Sequence, residues 1–308
     1  MPATPAFTGV YPILATPFDP DQGLDLPSFH RLISFMADIG VDGVTILGVL
    51  GESNRLMDSE RDALIRCAIE AAGGRIPVVV GTSHSGTRAA AALSRMAQDL
   101  GAAAVMVTPA AEPVPNEQRI FDYYAGIARE ISLPIVVQDH PASTSVHMSV
   151  PLLLKIVNEI PSVACFKQES VPTPPKIGAL LDGMRNGRQV PILTGLGALY
   201  GMFDLERGSN GFNTGFAFPE VLQAIVRSAQ AQQWDAAWNL YRRFLPLIVF
   251  EQQPGVAVRK EILRRRGLLA HAAVRHPGAS IDARTAQQLE SLLVRTLPGV
   301  DITRPLSF

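Results

Sequence analysis

Short apolar runs recur along this chain, and longer segments with a helical pattern of apolar and polar positions separate them. The runs do not alternate with polar residues, as is typical of parallel strands that are buried on both faces. Eight runs in one chain, with helical segments between them, predict a closed parallel barrel. The runs cover residues 10–15, 44–47, 77–80, 104–107, 134–137, 163–166, 192–193 and 211–213.

The segments between these runs carry their apolar residues on one helical face. Gly40, Gly73 and Gly101 each follow such a segment and precede the next run, where a left-handed helix cap is needed. The pattern therefore predicts a (β/α)₈ TIM barrel of the α/β class. An open doubly wound sheet is the alternative, but its glycine-rich dinucleotide motif is missing after the first run. Predicted helices include 27–38, 59–72, 88–100, 117–131 and 150–159.

Beyond Gly215 the pattern predicts more helix than an eighth crossover requires, and no low-complexity linker separates this part from the rest. We expect residues 1–231 to form the barrel and residues 232–308 to form a C-terminal helical extension packed on it. The predicted helices of this part lie near 219–231, 234–250, 258–266 and 283–295.

Composition and charge indicate which class of ligand the protein binds. The chain has 308 residues, 47% of them hydrophobic, and a formal charge of −1 without a basic block. This distribution argues against a nucleic-acid partner and favours a small-molecule ligand. The first residues lack a basic segment followed by a long apolar run, and no apolar stretch approaches the roughly 20 residues that span a membrane. We therefore expect a cytoplasmic protein.

Cys67 and Cys165 show no metal or redox spacing and are expected to be inert core residues.

In a barrel of this kind the active site lies at the carboxyl ends of the strands. Lys167 directly follows the run 163–166, whereas Lys155, Lys176 and Lys260 fall in predicted helices or a loop. Burial favours the neutral form of an amine, and the neutral form attacks carbonyl carbons. A strand-end lysine that only reaches solvent would occupy the same position. Position alone therefore leaves a nucleophile and a solvated lysine as equal interpretations.

The segments that follow the strands resemble the dihydrodipicolinate synthase and N-acetylneuraminate lyase family of class I aldolases, over nearly the whole chain. The resemblance implies that Lys167 forms a Schiff base with a small 2-oxo acid, with no cofactor and no metal, in a homo-oligomer, either a dimer or a tetramer. The matching segments are Thr16-Pro17-Phe18, Gly48-Val49-Leu50-Gly51-Glu52-Ser53, Val107-Thr108-Pro109, Lys167 and Gly195-Leu196-Gly197. The substrate-binding positions that it implies are Thr16, Val49, Leu50, Gln138, Gly195 and Thr214.

The chain also departs from the family's pattern. The family usually has two threonines where this chain has Val49 and Leu50, a tyrosine near Ala111, and a catalytic tyrosine where this chain has Gln138. An arginine that binds the second substrate of the synthases would fall near Ser143. The usual proton relay is therefore missing. The carboxylate pocket survives, because in the family main-chain N–H groups supply it and these do not depend on the side chain.

Three segments are similar to a branch of the family that dehydrates 2-keto-3-deoxy sugar acids, notably 2-keto-3-deoxy-L-arabinonate. They are Gln138-Asp139-His140-Pro141, Thr82-Ser83-His84 and Lys167-Gln168-Glu169. The resemblance implies an acid/base role for Glu169, which shares a face with Lys167 if the strand continues that far. An ion pair at the barrel rim is the other interpretation.

Four further side chains have structural alternatives. His84 matches the dehydratase branch and would orient a ligand or move a proton, unless it only satisfies a loop carbonyl. Asp139 and His140 are expected to be structural, because adjacent residues point in different directions. Glu52 is expected to brace its loop.

The sequence thus predicts a Schiff-base lyase that dehydrates a 2-keto-3-deoxy sugar acid. The alternatives are a pyruvate-dependent aldolase or synthase-like condensation, and a non-catalytic 2-oxo acid binding protein. A metal-dependent aldolase that uses Asp139, His140, His84 and Glu169 as ligands is a further possibility, but no compact ligand motif supports it.

Overall fold

A computed structural model describes residues 5–113, 116–253 and 255–308. Eight parallel strands alternate with helices along most of the chain, and further helices follow the last strand. The strands are β1 (Gly9–Val10), β2 (Val44–Ile46), β3 (Val78–Gly81), β4 (Ala104–Val107), β5 (Ile135–Asp139), β6 (Val163–Gln168), β7 (Ile192–Thr194) and β8 (Gly211–Phe212).

The helices lie between and after these strands. They are α1 (Leu26–Asp38), α2 (Asp58–Ala72), α3 (Thr87–Asp99), α4 (Glu117–Ala128), α5 (Pro141–Thr144), α6 (Val150–Glu159), α7 (Thr173–Met184), α8 (Gly201–Glu206), α9 (Pro219–Gln230), α10 (Trp234–Gln252), α11 (Val256–Arg265) and α12 (Ala283–Thr296). Short 3₁₀ turns, Val49–Gly51, Ser53–Arg55 and Leu196–Ala198, follow β2 and β7.

The sheet closes on itself. Each strand pairs with its sequence neighbours from β2 to β8, and β8 pairs with β1. Between the first strand and β2, Ile13 bridges Thr45, and the N–H of Thr45 donates to the carbonyl of Pro12 at 2.8 Å. The predicted parallel barrel is confirmed. Strand β1 is shorter than the predicted run 10–15, because Pro12 has no N–H to donate to a neighbouring strand.

Alternation along the strands divides the core in two. One cluster, of nine buried residues, fills the lumen, and the larger cluster packs the outer faces of the strands against the helices. On β3, for example, Val79 belongs to the lumen cluster and Val78 and Val80 to the outer cluster. Cys165 lies in the lumen cluster, and Cys67 is half-buried on α2.

The predicted helix ends agree with the structure to within a few residues. The three capping glycines have the expected positive φ, +67° at Gly40, +56° at Gly73 and +94° at Gly101. Three helices, α5, α7 and α8, were not predicted. Prolines 174 and 175 and Gly183 interrupt the helical pattern of α7, although prolines in a first turn are compatible with a helix.

Helices α10 to α12 pack on the barrel through the outer cluster, which includes Phe244, Val258 and Leu289. The division into residues 1–231 and 232–308 stays a prediction. Within the described ranges no helix combines the length and apolar character that crossing a membrane requires.

Candidate active site

Lys167 lies one residue before the end of β6, on the lumen side of the strand. In the strand register it pairs with Gln138 of β5 and Leu193 of β7. Its strand neighbour Cys165 belongs to the lumen core, which therefore forms the floor beneath the amine. The side chain of Lys167 is 5% exposed. The structure thus places this lysine at the carboxyl end of the barrel, where barrel enzymes bind their substrates.

Glu169 stands beside Lys167, as the alternation of strand faces predicted. Its Oε2 lies 3.1 Å from the amine of Lys167 and accepts a hydrogen bond from Nε2 of Gln138 at 2.7 Å. Its Oε1 accepts a hydrogen bond from the N–H of Leu196 at 2.9 Å. A β carbon on Gly195 would overlap the carboxyl group, so glycine at that position makes room for it.

The surroundings of Glu169 favour its ionised form. Burial raises the pKa of its carboxyl, but Lys167, His140, the Leu196 N–H and the Gln138 amide together lower the pKa further than burial raises it. The net pKa lies below the ordinary value of a glutamate. The site therefore holds a buried, ionised carboxylate next to the amine of Lys167.

Asp139 and Gln168 lie on the outer face of the same two strands. Lys176 of α7 approaches Oδ2 of Asp139 at 2.5 Å, and Nε2 of Gln168 donates to the same oxygen at 3.1 Å. Burial raises the pKa of Asp139, and Lys176 and Gln168 offset only part of that effect. Asp139 therefore joins strand to helix, in line with its expected structural role.

His140, in contrast, reaches the candidate site. Its Nδ1 lies 3.9 Å from Oε2 of Glu169 and 2.7 Å from Oγ of the exposed Ser143. Burial lowers the pKa of this imidazole, and Glu169 raises it back only in part. His140 was expected to be structural and was not predicted as a residue of the site. The signal that was available is its position directly after β5, next to Gln138 and Asp139.

His84 makes no hydrogen bond or ion pair with Lys167 or Glu169 in the part of the chain that the structure describes. Its side chain is exposed, and Nδ1 accepts the N–H of Gly86 at 3.0 Å. Its carbonyl accepts the hydroxyl of Tyr123 at 2.9 Å. The catalytic role of His84 stays a prediction that no contact supports.

The carboxylate pocket is predicted to lie in the loop after β2. Val49 and Leu50 begin a 3₁₀ turn, so their N–H groups have no acceptor within the turn. The hydroxyl of Thr16 donates to the carbonyl of Gly51 at 2.7 Å, which ties this turn to the first strand segment. The hydroxyl of Thr214 accepts the N–H of Gly197 at 2.6 Å and ties the loops after β7 and β8 together.

Glu52 braces this loop from below, as expected. Its Oε1 lies 2.5 Å from the amine of Lys260 on α11, and its Oε2 contacts Arg55 at 2.7 Å and the N–H of Arg275 at 3.0 Å. Across residues 5–113, 116–253 and 255–308, no three His, Cys, Asp or Glu side chains converge as metal ligands would. The four residues of the metal-dependent alternative are split between the two faces of the sheet and the loop after β3.

Comparison with known proteins gives four informative matches. Residues 6–296 match the dihydrodipicolinate synthetase family. The L-2-keto-3-deoxyarabonate dehydratase of Azospirillum brasilense is 36% identical, over 97% of each chain. The crystal structure of dihydrodipicolinate synthase from Rhodopseudomonas palustris has a TM-score of 0.91 at 37% identity, over 95% of this chain and 99% of that chain. A prophage protein of the family from E. coli K12, solved in complex with pyruvate, has a TM-score of 0.86 at 26% identity, over 94% and 98%.

Proposed function

The chain belongs to the dihydrodipicolinate synthetase family and is a lyase, and we propose that it dehydrates a 2-keto-3-deoxy sugar acid through a Schiff base on Lys167. The observation that carries this proposal is the 3.1 Å contact between the amine of Lys167 and the carboxylate of Glu169. This contact brings an amine and a carboxylate next to each other in a buried site, which supports the roles of nucleophile and proton acceptor. The dehydratase relative supports the choice of reaction.

The first half of the reaction forms the imine. Glu169 takes a proton from the ammonium of Lys167, and the neutral amine then adds to C2 of the 2-oxo acid. Glu169 returns this proton to the C2 oxygen, the nitrogen that has added to C2 gives the same oxygen a second proton, and the oxygen leaves as water. An iminium ion remains on Lys167. No proton is gained or lost by the site in this half.

The second half breaks the C–O bond. The iminium ion at C2 acidifies the C3 hydrogens, and Glu169 takes one of them to give an enamine. The enamine expels the C4 hydroxyl, which receives the proton from Glu169 and leaves as water. Hydrolysis of the conjugated iminium then releases the product and restores the amine. One carboxylate therefore serves as base and acid in turn.

The substrate carboxylate has a natural place at the barrel mouth. By the family resemblance it binds the main-chain N–H groups of Val49 and Leu50, which the turn leaves without internal acceptors. Thr16 holds this turn and Thr214 holds the neighbouring loops. These contacts would fix C2 of the substrate relative to Lys167.

Condensation or cleavage of a C–C bond, as in the synthase relative, is the second candidate. It requires a group that moves a proton at the C4 oxygen, the task of the tyrosine that the family usually has. Gln138 holds Glu169 but does not titrate, and Ser143 offers no guanidinium for a second carboxylate. A non-catalytic binding protein would have no use for the Lys167–Glu169 pair. Both alternatives therefore rank below dehydration.

A substrate screen tests the proposal. The wild-type protein should dehydrate at least one 2-keto-3-deoxy sugar acid, and borohydride should attach that substrate or pyruvate to Lys167, as read by peptide mass spectrometry. Condensation of pyruvate with aspartate semialdehyde should be absent or very slow. Condensation in the ordinary range of about 1–10³ s⁻¹, with no dehydration of any acid in the screen, would contradict the proposal.

We also propose a cytoplasmic location and a homo-oligomeric state, a dimer or a tetramer, as the family resemblance implies. Analytical ultracentrifugation of the purified protein tests the oligomer. Fractionation of cells that express the native chain tests the location. A monomer at micromolar concentration, or recovery outside the cytoplasm, would contradict these two statements respectively.

A further inference from the structure

The C-terminal helices bury an ion pair behind the barrel mouth. Glu251 of α10 is fully buried, and its Oε2 accepts a hydrogen bond from Nε of Arg259 on α11 at 2.8 Å. Its Oε1 accepts the N–H of Ala217, in the segment after β8, at 3.2 Å. Arg259 itself is only 5% exposed. The pair therefore connects two C-terminal helices to the chain that leaves the last strand.

Three loops of the barrel mouth converge on Arg259. A β carbon on Gly197, after β7, would lie 3.1 Å from its Nη2, and one on Gly215, after β8, would lie 3.3 Å from its Nε. Leu50, in the loop after β2, packs on Gly215 and shares with Arg259 the lining of a cavity of about 20 Å³. These loops carry the predicted substrate-binding positions Leu50 and Thr214.

Packing alone does not require a charged pair at the position of Glu251 and Arg259. A buried ion pair is often replaceable by apolar residues without loss of stability, because desolvation offsets the attraction between the charges. Burial raises the pKa of Glu251 to about 7, so near neutral pH its carboxyl neutralises Arg259 only in part. A positive potential therefore remains behind a pocket that is predicted to hold a carboxylate.

We propose that Arg259, oriented by Glu251, supplies the positive potential that makes the loops around Leu50 selective for an anionic ligand. The inference rests on the proposed function, because it takes the carboxylate of the 2-oxo acid to lie at the turn of Val49 and Leu50. Arg259 does not touch the reacting atoms. It is a positioning residue that acts through the loops and through a field that a protein interior screens less than water does.

Concentration-dependent borohydride trapping at pH 7 tests this role, with pyruvate as the anionic ligand and hydroxyacetone as a neutral ketone of similar size. Arg259→Gln should raise the half-saturating pyruvate concentration about tenfold, because an attractive charge is lost. Glu251→Gln should lower it, because glutamine keeps a hydrogen-bond acceptor but removes the opposing charge. Half-saturation by hydroxyacetone should stay unchanged in both variants, and Arg259→Lys should fall between Arg259→Gln and the wild type.

A purely structural pair would behave differently. Equal shifts for pyruvate and hydroxyacetone, or pyruvate shifts of the same sign in Arg259→Gln and Glu251→Gln, would overturn the proposal. Because Arg259→Gln leaves Glu251 unpaired, the double variant R259Q/E251Q provides a second test in which neither charge is buried. It should bind pyruvate as weakly as the single Arg259→Gln variant, because without Arg259 the pKa of the buried Glu251 rises further and its carboxyl is already neutral in the single variant. If the wild type is not trapped at all, the Schiff-base function has failed, and pyruvate-dependent shifts in thermal unfolding still report the selectivity of Arg259.

Discussion

Two buried lysine–carboxylate pairs lie on opposite faces of the sheet at the carboxyl ends of β5 and β6. The inner pair, Lys167 and Glu169, lies on the lumen side with 3.1 Å between amine and carboxylate. The outer pair, Lys176 and Asp139, joins the sheet to α7 at 2.5 Å. The functional groups are the same, and all four side chains are buried or nearly so. Lys167 is a candidate nucleophile and Lys176 is a structural cation because they contact their carboxylates on opposite faces of the sheet.

The two carboxylates also differ in how well they are satisfied. Glu169 receives the Leu196 N–H and the Gln138 amide besides Lys167, and its pKa is lowered although burial opposes this. Oδ1 of Asp139 has no hydrogen-bond partner among the residues that the structure describes, and burial raises its pKa. A general base must lie next to the proton that it removes, so the inner carboxylate, beside Lys167 in the lumen, is placed for catalysis and the outer one is not.

The largest expected effect separates the two lysines. Lys167→Ala should abolish borohydride trapping of pyruvate, because no amine remains in the lumen to form the imine. Lys176→Ala should still be trapped at Lys167. Peptide mass spectrometry of the reduced protein reads both results, with Lys155→Ala on α6 as a control for a lysine outside both pairs. A pyruvate adduct that persists in Lys167→Ala would show that Lys167 is not the lysine that forms the imine.

The next effect separates the two carboxylates. Glu169→Gln should slow dehydration and exchange of the C3 hydrogens together by roughly 10²–10⁴-fold, as is typical of losing an acid/base group, while trapping at Lys167 survives. Asp139→Asn should keep most of the activity. Deuterium exchange into the methyl group of bound pyruvate, followed by NMR, measures the proton step alone. Full exchange in Glu169→Gln would make Glu169 a rim residue and His140 the better candidate.

Stability should respond to the outer pair. Lys176→Met leaves the buried Asp139 without its cation, which should reduce the free energy of unfolding by about 3–5 kcal/mol. Lys167→Met should cost less, because Glu169 keeps the Leu196 N–H and the Gln138 amide. Urea unfolding of both variants at pH 7 measures the difference. A larger loss in Lys167→Met would show that the inner pair is the more important one for folding.

The smallest effect concerns pH. The folded-state pKa of Asp139 is raised, so the folded chain binds more protons in the window above the ordinary value, and this contribution to stability falls as pH rises through that window. The folded-state pKa of Glu169 is lowered, so its contribution is present above the ordinary value and is lost as pH falls below it. The stability of the wild type relative to Asp139→Asn should therefore fall with rising pH, and relative to Glu169→Gln it should rise. Urea midpoints between pH 3 and 7 check both signs.

Local patterns were enough for much of the fold and for part of the site. The apolar runs and the capping glycines located the strands and most helices, since burial and left-handed caps impose strong local requirements. Period-two alternation correctly placed Glu169 beside Lys167. The first strand was predicted too long because Pro12 has no N–H to donate. Helix α7 was missed because its prolines and glycine interrupt the helical periodicity of its apolar residues.

The sequence by itself therefore determined the barrel, the strand that carries Lys167 and the face that Glu169 shares with it, because each depends on residues close together in the chain. Tertiary structure alone decided that His140 approaches Glu169, that His84 stays apart, and that Arg259 and Glu251 lie behind loops from three strands. These contacts join residues from separate strands, loops and helices. Their distances follow from barrel closure and helix packing, for which no local periodicity exists.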